Sequence, residues 1–343
     1  MSLTQPKYYP GLYLSHAKVA RAFAKEVLDG PKPPSSTKEY ESRAFQACLK
    51  ADTSFDFRKG MRGEDVLRLS EDAKGLLSWG QWYRDGRRVI ELAPELAIEL
   101  NKSDAGDLRP SDLLSKEDSF YLHFGLPATE APRIDGEAPV EGAYVLCSPD
   151  TAIRIVLASR HALEGPCAWQ GRYDLRLVQP HLDSPADVAI SAAFDKDIQD
   201  IQEHALAATG SPMSGNPFAL LVERVNRNRS AFSQAVKLIL NAMAYRRYVH
   251  AEGTMSWPST APASLVRKAQ VPGKEGQRAS SKLWHLGFVP AQVLGEGFHH
   301  VRPEGGSVAA HWRRGHWRNQ PHGPQLSLRK LLWIRPTLVN AEA

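Results

Sequence analysis

The sequence contains few cysteines, and none of them stands in an arrangement typical of a metal site or a disulfide framework. Cys48, Cys147 and Cys167 are the only three in 343 residues, and no two form a Cys-x-x-Cys pair. An odd number of scattered cysteines indicates neither paired disulfides nor a zinc site made of thiolates. We therefore expect reduced thiols.

Long apolar segments are also missing. The first residues, MSLTQPKYYPGLYLSHAKVARAF, show no basic stretch followed by an apolar block. No apolar run in the chain approaches the roughly 18 residues that would suggest a membrane span. No low-complexity tract and no repeat of roughly 20–50 residues is present. These absences predict a folded cytoplasmic protein that has no membrane among its partners.

The common signatures of nucleotide-binding and hydrolytic sites are absent as well. The stretch GEGF at residues 295–298 lacks the Lys-Ser or Lys-Thr of a phosphate-binding loop. No Gly-x-Ser-x-Gly sequence marks the elbow that presents a serine nucleophile. We expect no cofactor and no resident metal.

What the sequence does have is a concentration of positive charge in its last quarter. From Thr260 onward there are twelve Lys or Arg against four Glu and no Asp, a net charge of +8, whereas the first 259 residues carry 31 basic against 34 acidic residues, or −3. Six of the twelve histidines also fall in this last quarter. Arg and Lys neutralise phosphates and flat rings stack on bases, so such a segment is typical of a nucleic-acid contact.

The spacing of apolar residues predicts an α+β fold. We expect a helical N-terminal part, a central small antiparallel sheet, a long helix and a basic C-terminal segment containing strands. The predicted helices run from Ser15 to before Gly30, over 64–84, from Pro94 through PELAIEL, from Ser184 through EHAL, and from Pro217 to about His250. The predicted strands are RVIEL, SFYLHFG, EGAYVLCS, AIRIVLASR, YDLRLVQP, LWHLGFVPAQVL and LSLRKLLWIRPTLVN.

These elements divide the chain into four regions. Residues 1–135 are mainly helical, and residues 136–255 hold the β-meander and the long helices. Residues 256–281, which carry Pro258, Pro262, Pro272, Lys274 and Arg278 with little periodicity, form an exposed loop or linker. Residues 282–343 form the basic C-terminal segment, which is rich in His, Arg and Trp.

The candidate site is the stretch HWRRGHWRNQPHG, residues 311–323. In one interpretation, His311 and His316 act as acid and base of a metal-independent ribonuclease, with Arg313 or Arg314 stabilising the phosphorane. A zinc site using His311 and His316 with His299, His300 or His322 is disfavoured because arginines, which repel a cation, lie among the candidate ligands.

Two further interpretations need no catalysis. In the first, the arginines bind phosphates or carboxylates while two tryptophans stack on bases or pack; the residues concerned are Trp312, Arg313, Arg314, Trp317 and Arg318. In the second, Trp317 and Trp333 belong to a core and the histidines are hydrogen-bonded structural residues. Spacing alone does not choose between them.

The pattern H-x-R-R-G-H-W, formed by His311, Arg313 to Trp317, and followed by Gly323 and WIRPTLVN, resembles the second family of type V-A anti-CRISPR proteins. The segments LLSWGQWYRDGRRVIELAPELAIEL, SFYLHF, AEGTMSW and WHLGF follow in the family's order, so the likeness covers most of the chain. Only the C-terminal motif is highly specific. Trp312 and Arg318 extend the motif beyond the shared pattern, and the spacing through NQPHGPQ is variable.

The resemblance implies a protein of a phage or mobile element that evades host defence in the host cytoplasm. Founding members of the family recognise the nascent N-terminal peptide of the effector nuclease during translation, which leads to loss of its messenger RNA. The implied partners are therefore that peptide and the mRNA or ribosome. We expect an interaction protein rather than an enzyme; a ribonuclease and a plain RNA-binding module are the alternatives, and the oligomeric state stays open.

Overall fold

The fold is that of a computed structural model of the chain. The residues that it describes are 18–28, 37–51, 63–85, 88–105, 107–113, 119–134, 138–147, 152–159, 174–209, 217–248, 283–286, 311–313, 315–334 and 337–339. The predicted linker, residues 256–281, lies outside them.

Three helices form the N-terminal layer: α1 (Lys18–Phe23, continued by a π-helical turn, Ala24–Leu28), α2 (Thr37–Ala51) and α3 (Gly63–Arg84). The first and third were predicted. Helix α2 was not, because the residues that it buries at helical spacing, Tyr40, Ala44 and Cys48, do not form an obvious apolar stripe. Together the three helices bury an apolar cluster that includes Phe23, Trp79 and Trp82.

The central sheet has six strands in the order β6-β5-β4-β2-β1-β7, and a short strand β3 pairs with β4. Antiparallel pairing joins β4, β5 and β6, as the predicted meander requires, and also joins β2 to β4. Strand β1 is parallel to both β2 and β7, which makes the sheet mixed. The strands are β1 (Val89–Leu92), β2 (Phe120–His123), β3 (Arg133–Ile134), β4 (Ala138–Cys147), β5 (Ala152–Ser159), β6 (Asp174–Val178) and β7 (Leu283–Leu286).

Both faces of the sheet are covered. Because side chains alternate along a strand, Val89, Tyr121 and Tyr144 face the N-terminal helices. Ile90 and Leu122 face a second cluster on the other side, and all five are almost fully buried. Burial on both faces explains why these strands read as nearly continuous apolar runs.

The second face is covered by α4 (Pro94–Asn101), α5 (Pro110–Leu113), α6 (Ala186–Thr209) and α7 (Pro217–Tyr248). The predicted long helix is thus confirmed as α7, and its C-terminal half is buried on several sides, from Phe232 to Tyr245. Its N-terminal half is more exposed, and Leu220 is 63% accessible. Of the helices that the structure describes, none combines the length and apolar character of a membrane span.

Gly142 on β4 provides a test of how closely the central strands pack. A Cβ at this position would overlap the backbone carbonyl of Leu122 and lie 2.5 Å from the Tyr121 hydroxyl. We expect Gly142→Ala to lower the free energy of unfolding by about 1–3 kcal/mol, since a backbone carbonyl cannot move aside cheaply. Urea denaturation measures this change. The control is Arg176→Ala, at an exposed site on edge strand β6. Equal stabilities of the two variants would contradict the close packing of Gly142 against β2.

Candidate functional site

The candidate site lies on a hairpin formed by β9 (His316–His322) and β10 (Leu328–Ile334). The pairing is antiparallel and sets Trp317 directly opposite Trp333. Gly323, with φ of 77°, begins the turn between the strands in a conformation that favours glycine.

A second ladder extends this hairpin. Strand β8 (His311–Arg313) pairs antiparallel with β11 (Thr337–Val339). Arg313 pairs with Thr337 and His316 with Ile334, so the two ladders keep one register on either side of Gly315. The described residues of the motif H-x-R-R-G-H-W therefore lie on β8, at Gly315 and at the start of β9.

The hairpin is attached to the segment that follows α4. The backbone N–H of Asp104 donates a hydrogen bond to the carbonyl oxygen of Gly315 at 2.8 Å, and Asp104 forms a parallel β-bridge with His316. Gly315 is buried. The glycine of the motif thus lies where the chain runs beside the backbone segment that follows α4.

Trp317 anchors the hairpin to the long helix α7. Its side chain is only 8% exposed, and its indole N–H donates to the Oδ1 atom of Asn241 at 3.0 Å. The Asn241 amide in turn donates to the carbonyl oxygens of Leu100 and Ser103 at 2.9 and 3.0 Å. Asn241 is fully buried, so this one amide joins helix α7, the end of α4 and the hairpin.

Trp333 forms a matching anchor from the opposite strand. Its indole N–H donates to the Ser103 hydroxyl at 3.1 Å, and that hydroxyl donates to the carbonyl oxygen of Glu99 at 2.8 Å. The Tyr245 ring packs edge-on against Trp333, with 5.3 Å between ring centroids. The two indoles lie 6.4 Å apart, so they form one aromatic unit above the end of α7.

This network satisfies the polar atoms that the two tryptophans bring into the core. Both indole N–H groups, both amide functions of Asn241 and the Ser103 hydroxyl have partners, and none carries a charge. Satisfied buried networks favour one arrangement over others because every alternative leaves a polar atom without a partner. A one-residue slip of the hairpin would turn both indoles to the opposite face, so the network fixes the register.

The face opposite the tryptophans is turned away from the core. We call it the outer hairpin face, and its residues alternate with Trp317 and Trp333 along the two strands: His316, Arg318, Gln320, His322, Leu328, Lys330, Leu332 and Ile334. Arg318, His322, Leu328 and Lys330 are exposed, as is the neighbouring Arg329. No Asp or Glu occurs from His311 to Ile334. The outer hairpin face is therefore cationic with apolar residues interspersed.

The structure separates the predicted site residues into three groups. Trp317 lies in the core, as the packing interpretation predicts, and its ring is not an open stacking surface. Arg318 is exposed and half-buried His316 lies beside it on the outer hairpin face. The backbone of His311, Trp312 and Arg313 is placed in β8, but their side chains and the whole of Arg314 lie outside the described residues. The ribonuclease pair therefore remains a prediction.

Two residues that hold the site together were missed by sequence reasoning. Asn241 and Ser103 lie 76 and 230 residues from the tryptophans with which they bond. The signal for Asn241 was a polar residue within the apolar run KLILNAMAY of a long helix. A buried asparagine needs partners, but the sequence does not identify them.

The side chains that the structure describes include no group of three or more His, Cys, Asp or Glu placed to hold a metal ion. His316 and His322 lie at opposite ends of β9. The predicted zinc alternative at the hairpin would also require His311 or residues 299–300, whose side chains are outside the described part of the chain.

Comparison with known proteins finds a matching family model and a solved structure. The model of a family described as AcrVA2-like, the anti-CRISPR type V subtype A2 family, matches residues 90–341. A solved structure described as "Crystal structure of AcrVA2" is similar over 94% of this chain and 97% of that chain, with 12% sequence identity and a TM-score of 0.39. No curated protein matches the chain. The family match includes the central sheet, helix α7 and both strands of the hairpin.

Proposed function

The chain belongs to the anti-CRISPR type V subtype A2 family, and we propose that it recognises the nascent N-terminal peptide of a type V-A effector nuclease during translation. Recognition lowers expression of the nuclease through loss of its messenger RNA. The observation that carries the proposal is the family match, which includes the C-terminal hairpin within residues 90–341.

The chemistry of the outer hairpin face supports this proposal. A nascent peptide is reached next to ribosomal RNA, whose phosphates attract Arg and Lys strongly. Arg318 and Lys330 are exposed on this face, and no acidic residue occurs in the sequence of the hairpin. Leu328 is 53% exposed beside them and offers apolar surface to a peptide. The hairpin thus combines groups for both components of a translating complex.

The buried anchors supply rigidity to this surface. Trp317 and Trp333 hold the opposite side of the same two strands in the core. A surface fixed by its own fold loses less conformational entropy on binding than a mobile segment does. In our proposal, the tryptophans position the hairpin and the outward residues make the contacts.

The test separates recognition of a peptide from recognition of an RNA sequence. Three reporters are expressed with and without the protein: one with the leader codons of the nuclease, one with synonymous codons, and one with a compensated pair of frameshifts. The frameshifted leader keeps nearly all nucleotides but encodes another peptide. We expect the reporter mRNA to fall for the first two leaders and to persist for the third.

Other outcomes would refute the proposal in different ways. Loss of the frameshifted mRNA would show that the protein recognises the nucleotide sequence and not the encoded peptide. Unchanged levels of all three mRNAs would show that the leader is not the target. Cleavage of naked RNA by the purified protein in the presence of chelator, abolished by His316→Ala, would identify a ribonuclease instead.

Charge reversal on the outer hairpin face provides the second test. We expect the double variant Arg318→Glu/Lys330→Glu to bind translating ribosomes at least about tenfold more weakly than the wild type does, because two phosphate contacts become repulsive. Co-sedimentation at low and moderate salt measures this loss, and the salt dependence should flatten. The control is Arg176→Glu, an exposed arginine on β6; equal losses in both variants would show that overall charge, not the hairpin, governs binding.

A further inference from the structure

Strand β10 forms the outer edge of the C-terminal hairpin. Strand β9 pairs with β10 along one of its edges, and on its other edge His316 bridges to the backbone of Asp104. Within the part of the chain that the structure describes, β9 is the one strand paired with β10. Alternate residues of an antiparallel edge strand direct their N–H and C=O groups outward. The far side of β10 therefore carries a row of backbone donors and acceptors.

Strand β10 has few of the features that protect an edge from further pairing. Protected edge strands are usually very short, or are interrupted by a proline or a β-bulge. Strand β10 has seven residues, LRKLLWI, without a proline, and its register with β9 is unbroken. A long and regular edge is a template to which an extended peptide can be added as one more strand.

Apolar side chains follow this edge on the outer hairpin face. Leu328 is 53% exposed, and Leu332 and Ile334 are half-buried. Side chains alternate along the strand, and Leu331, on the inner side, packs against the core. A strand added to β10 would place every second side chain beside Leu328, Leu332 and Ile334.

The turn extends the apolar surface beyond the end of the strand. Leu326 is 62% exposed, and it and Gln325 have positive φ angles of 58° and 52°. Non-glycine residues in this left-handed region are strained by about 1–3 kcal/mol, and such strain is concentrated at sites that contact ligands. A strained turn that holds a leucine in water favours a role in binding.

The charge of the hairpin bears on what can pair with this edge. Arg329 and Lys330 are exposed on β10, and no Asp or Glu occurs from His311 to Ile334. A second copy of the chain would bring the same cations to the interface, and like charges on neighbouring strands are destabilising. An extended peptide with alternating apolar residues and a carboxylate near Lys330 is complementary in both charge and shape.

We propose that the nascent leader peptide is bound by strand addition at the outer edge of β10. This inference rests on the proposed function and adds the mode of binding to it. A peptide that is still being synthesised has no tertiary fold, so its backbone groups can pair with a sheet edge. The backbone hydrogen bonds supply affinity, and the alternate side chains that contact the apolar row supply specificity.

Hydrogen–deuterium exchange at single-residue resolution locates the added strand. The purified full-length chain is compared with and without a synthetic peptide of the nuclease leader. We expect exchange to slow about tenfold or more at alternate amides of residues 328–334, because those N–H groups become donors to the peptide. The control is β6, an edge strand of the central sheet, whose amides should exchange at unchanged rates.

Leader peptides that carry a single N-methyl group test the backbone pairing from the other side. Methylation removes an N–H donor, so it should weaken binding about tenfold or more where that N–H faces β10. At the next residue the N–H points away from β10, and methylation should have little effect. Titration calorimetry should therefore show losses of affinity at every second position of the bound segment.

A double variant tests the contribution of the apolar row. Leu332→Thr/Ile334→Thr should bind the leader peptide about tenfold more weakly, because it removes apolar surface next to the added strand. Threonine favours strands, so the hairpin should stay folded, and the fluorescence of buried Trp317 and Trp333 checks this. The control is Val188→Thr, at a position of α6 that is 52% exposed, which should bind as the wild type does.

The possible failures of the two proposals can be distinguished. Binding of the leader peptide without protection of β10, or without the alternation among methylated peptides, would refute strand addition but leave leader recognition intact. Failure of the leader peptide to bind at all would refute both. Protection of β10 that increases with protein concentration in the absence of peptide would show that a second copy occupies the edge, which would also overturn the inference.

Discussion

Replacing Trp317 with alanine is expected to lower the free energy of unfolding by about 3–5 kcal/mol, the usual cost of removing a large buried aromatic side chain. The indole packs against Trp333 and Tyr248 and is almost fully buried. Its loss would leave a cavity and deprive the Asn241 carbonyl of its donor. Urea or guanidinium denaturation of the purified variant measures the change.

Two neighbouring substitutions separate the contributions to this effect. Trp317→Phe keeps much of the ring packing but removes the N–H donor. It should therefore lower the free energy of unfolding by about 1–3 kcal/mol, in addition to any effect of repacking the ring. Arg318→Ala, at the next and exposed position of β9, should change stability by less than about 0.5 kcal/mol. If Trp317→Ala were as stable as Arg318→Ala, the hairpin would not be docked as the structure describes.

The second large effect is expected for Asn241→Leu. This substitution keeps the approximate volume but removes one acceptor and two donated hydrogen bonds at a fully buried position. It leaves the Trp317 N–H and the carbonyl oxygens of Leu100 and Ser103 without their partner. Each unsatisfied buried group costs about 1–3 kcal/mol, so we expect a total loss of about 3–5 kcal/mol in denaturant titrations.

Helix α7 provides the matched control. Asn226 is an exposed asparagine of the same helix, and Asn226→Leu should be within about 0.5 kcal/mol of the wild type. In a double-mutant cycle, Trp317→Phe and Asn241→Leu should cost less together than the sum of their separate effects, because they break a shared hydrogen bond. Strict additivity would argue against the bond between them.

These stability effects have a consequence for functional experiments. Substituting either tryptophan changes the core, so loss of activity in such variants does not identify a contact with a partner. Arg318 and Lys330 are exposed on the other side of the same strands, and their substitution tests binding with little change in folding. The outer hairpin face is thus the better place to look for recognition.

Much of the fold follows from local patterns in the sequence. Helix α3 begins one residue before the predicted start, and α7 ends within two residues of its predicted end. Pro94 opens α4 as its restricted φ predicts. The short β-like runs EGAYVLCS, AIRIVLASR and YDLRLVQP, bounded by Pro, Asp and Gly turns, correctly predicted three strands that pair in sequence order. Periodicity is a local property, and these elements depend mainly on it.

The parts that could not be predicted depend on contacts between distant segments. The pairing of β7 with β1 joins residues 283–286 to 89–92 across more than half of the chain, and no property of either strand indicates its neighbour. Parallel pairing in particular has no turn signal, because the connection is long. The sequence therefore predicted the antiparallel meander and strands at RVIEL, SFYLHFG and LWHLGFVPAQVL, but not the parallel pairing that joins them into one sheet.

The candidate site was predicted in part for the same reason. The motif around Gly315 was found from residue types alone, and the C-terminal segment was expected to contain strands, but β8 and β9, on which the motif lies, were not themselves predicted. Which side of the strand is buried depends on Asn241 and Ser103, which are supplied by other elements. The sequence left the packing and binding interpretations of the tryptophans open, whereas the arrangement of the hairpin assigns Trp317 to the core and Arg318 to the surface.

The separation in sequence between Trp333 and Ser103, 230 residues, also bears on the order of folding. A hairpin with a short turn closes in about 1–10 μs, whereas docking it onto α4 and α7 first requires the entropy of very long loops to be lost. The hairpin is therefore expected to form early and dock late. Its two tryptophans stay in water during that interval, so the basic surface acquires its fixed orientation only when the rest of the chain has folded.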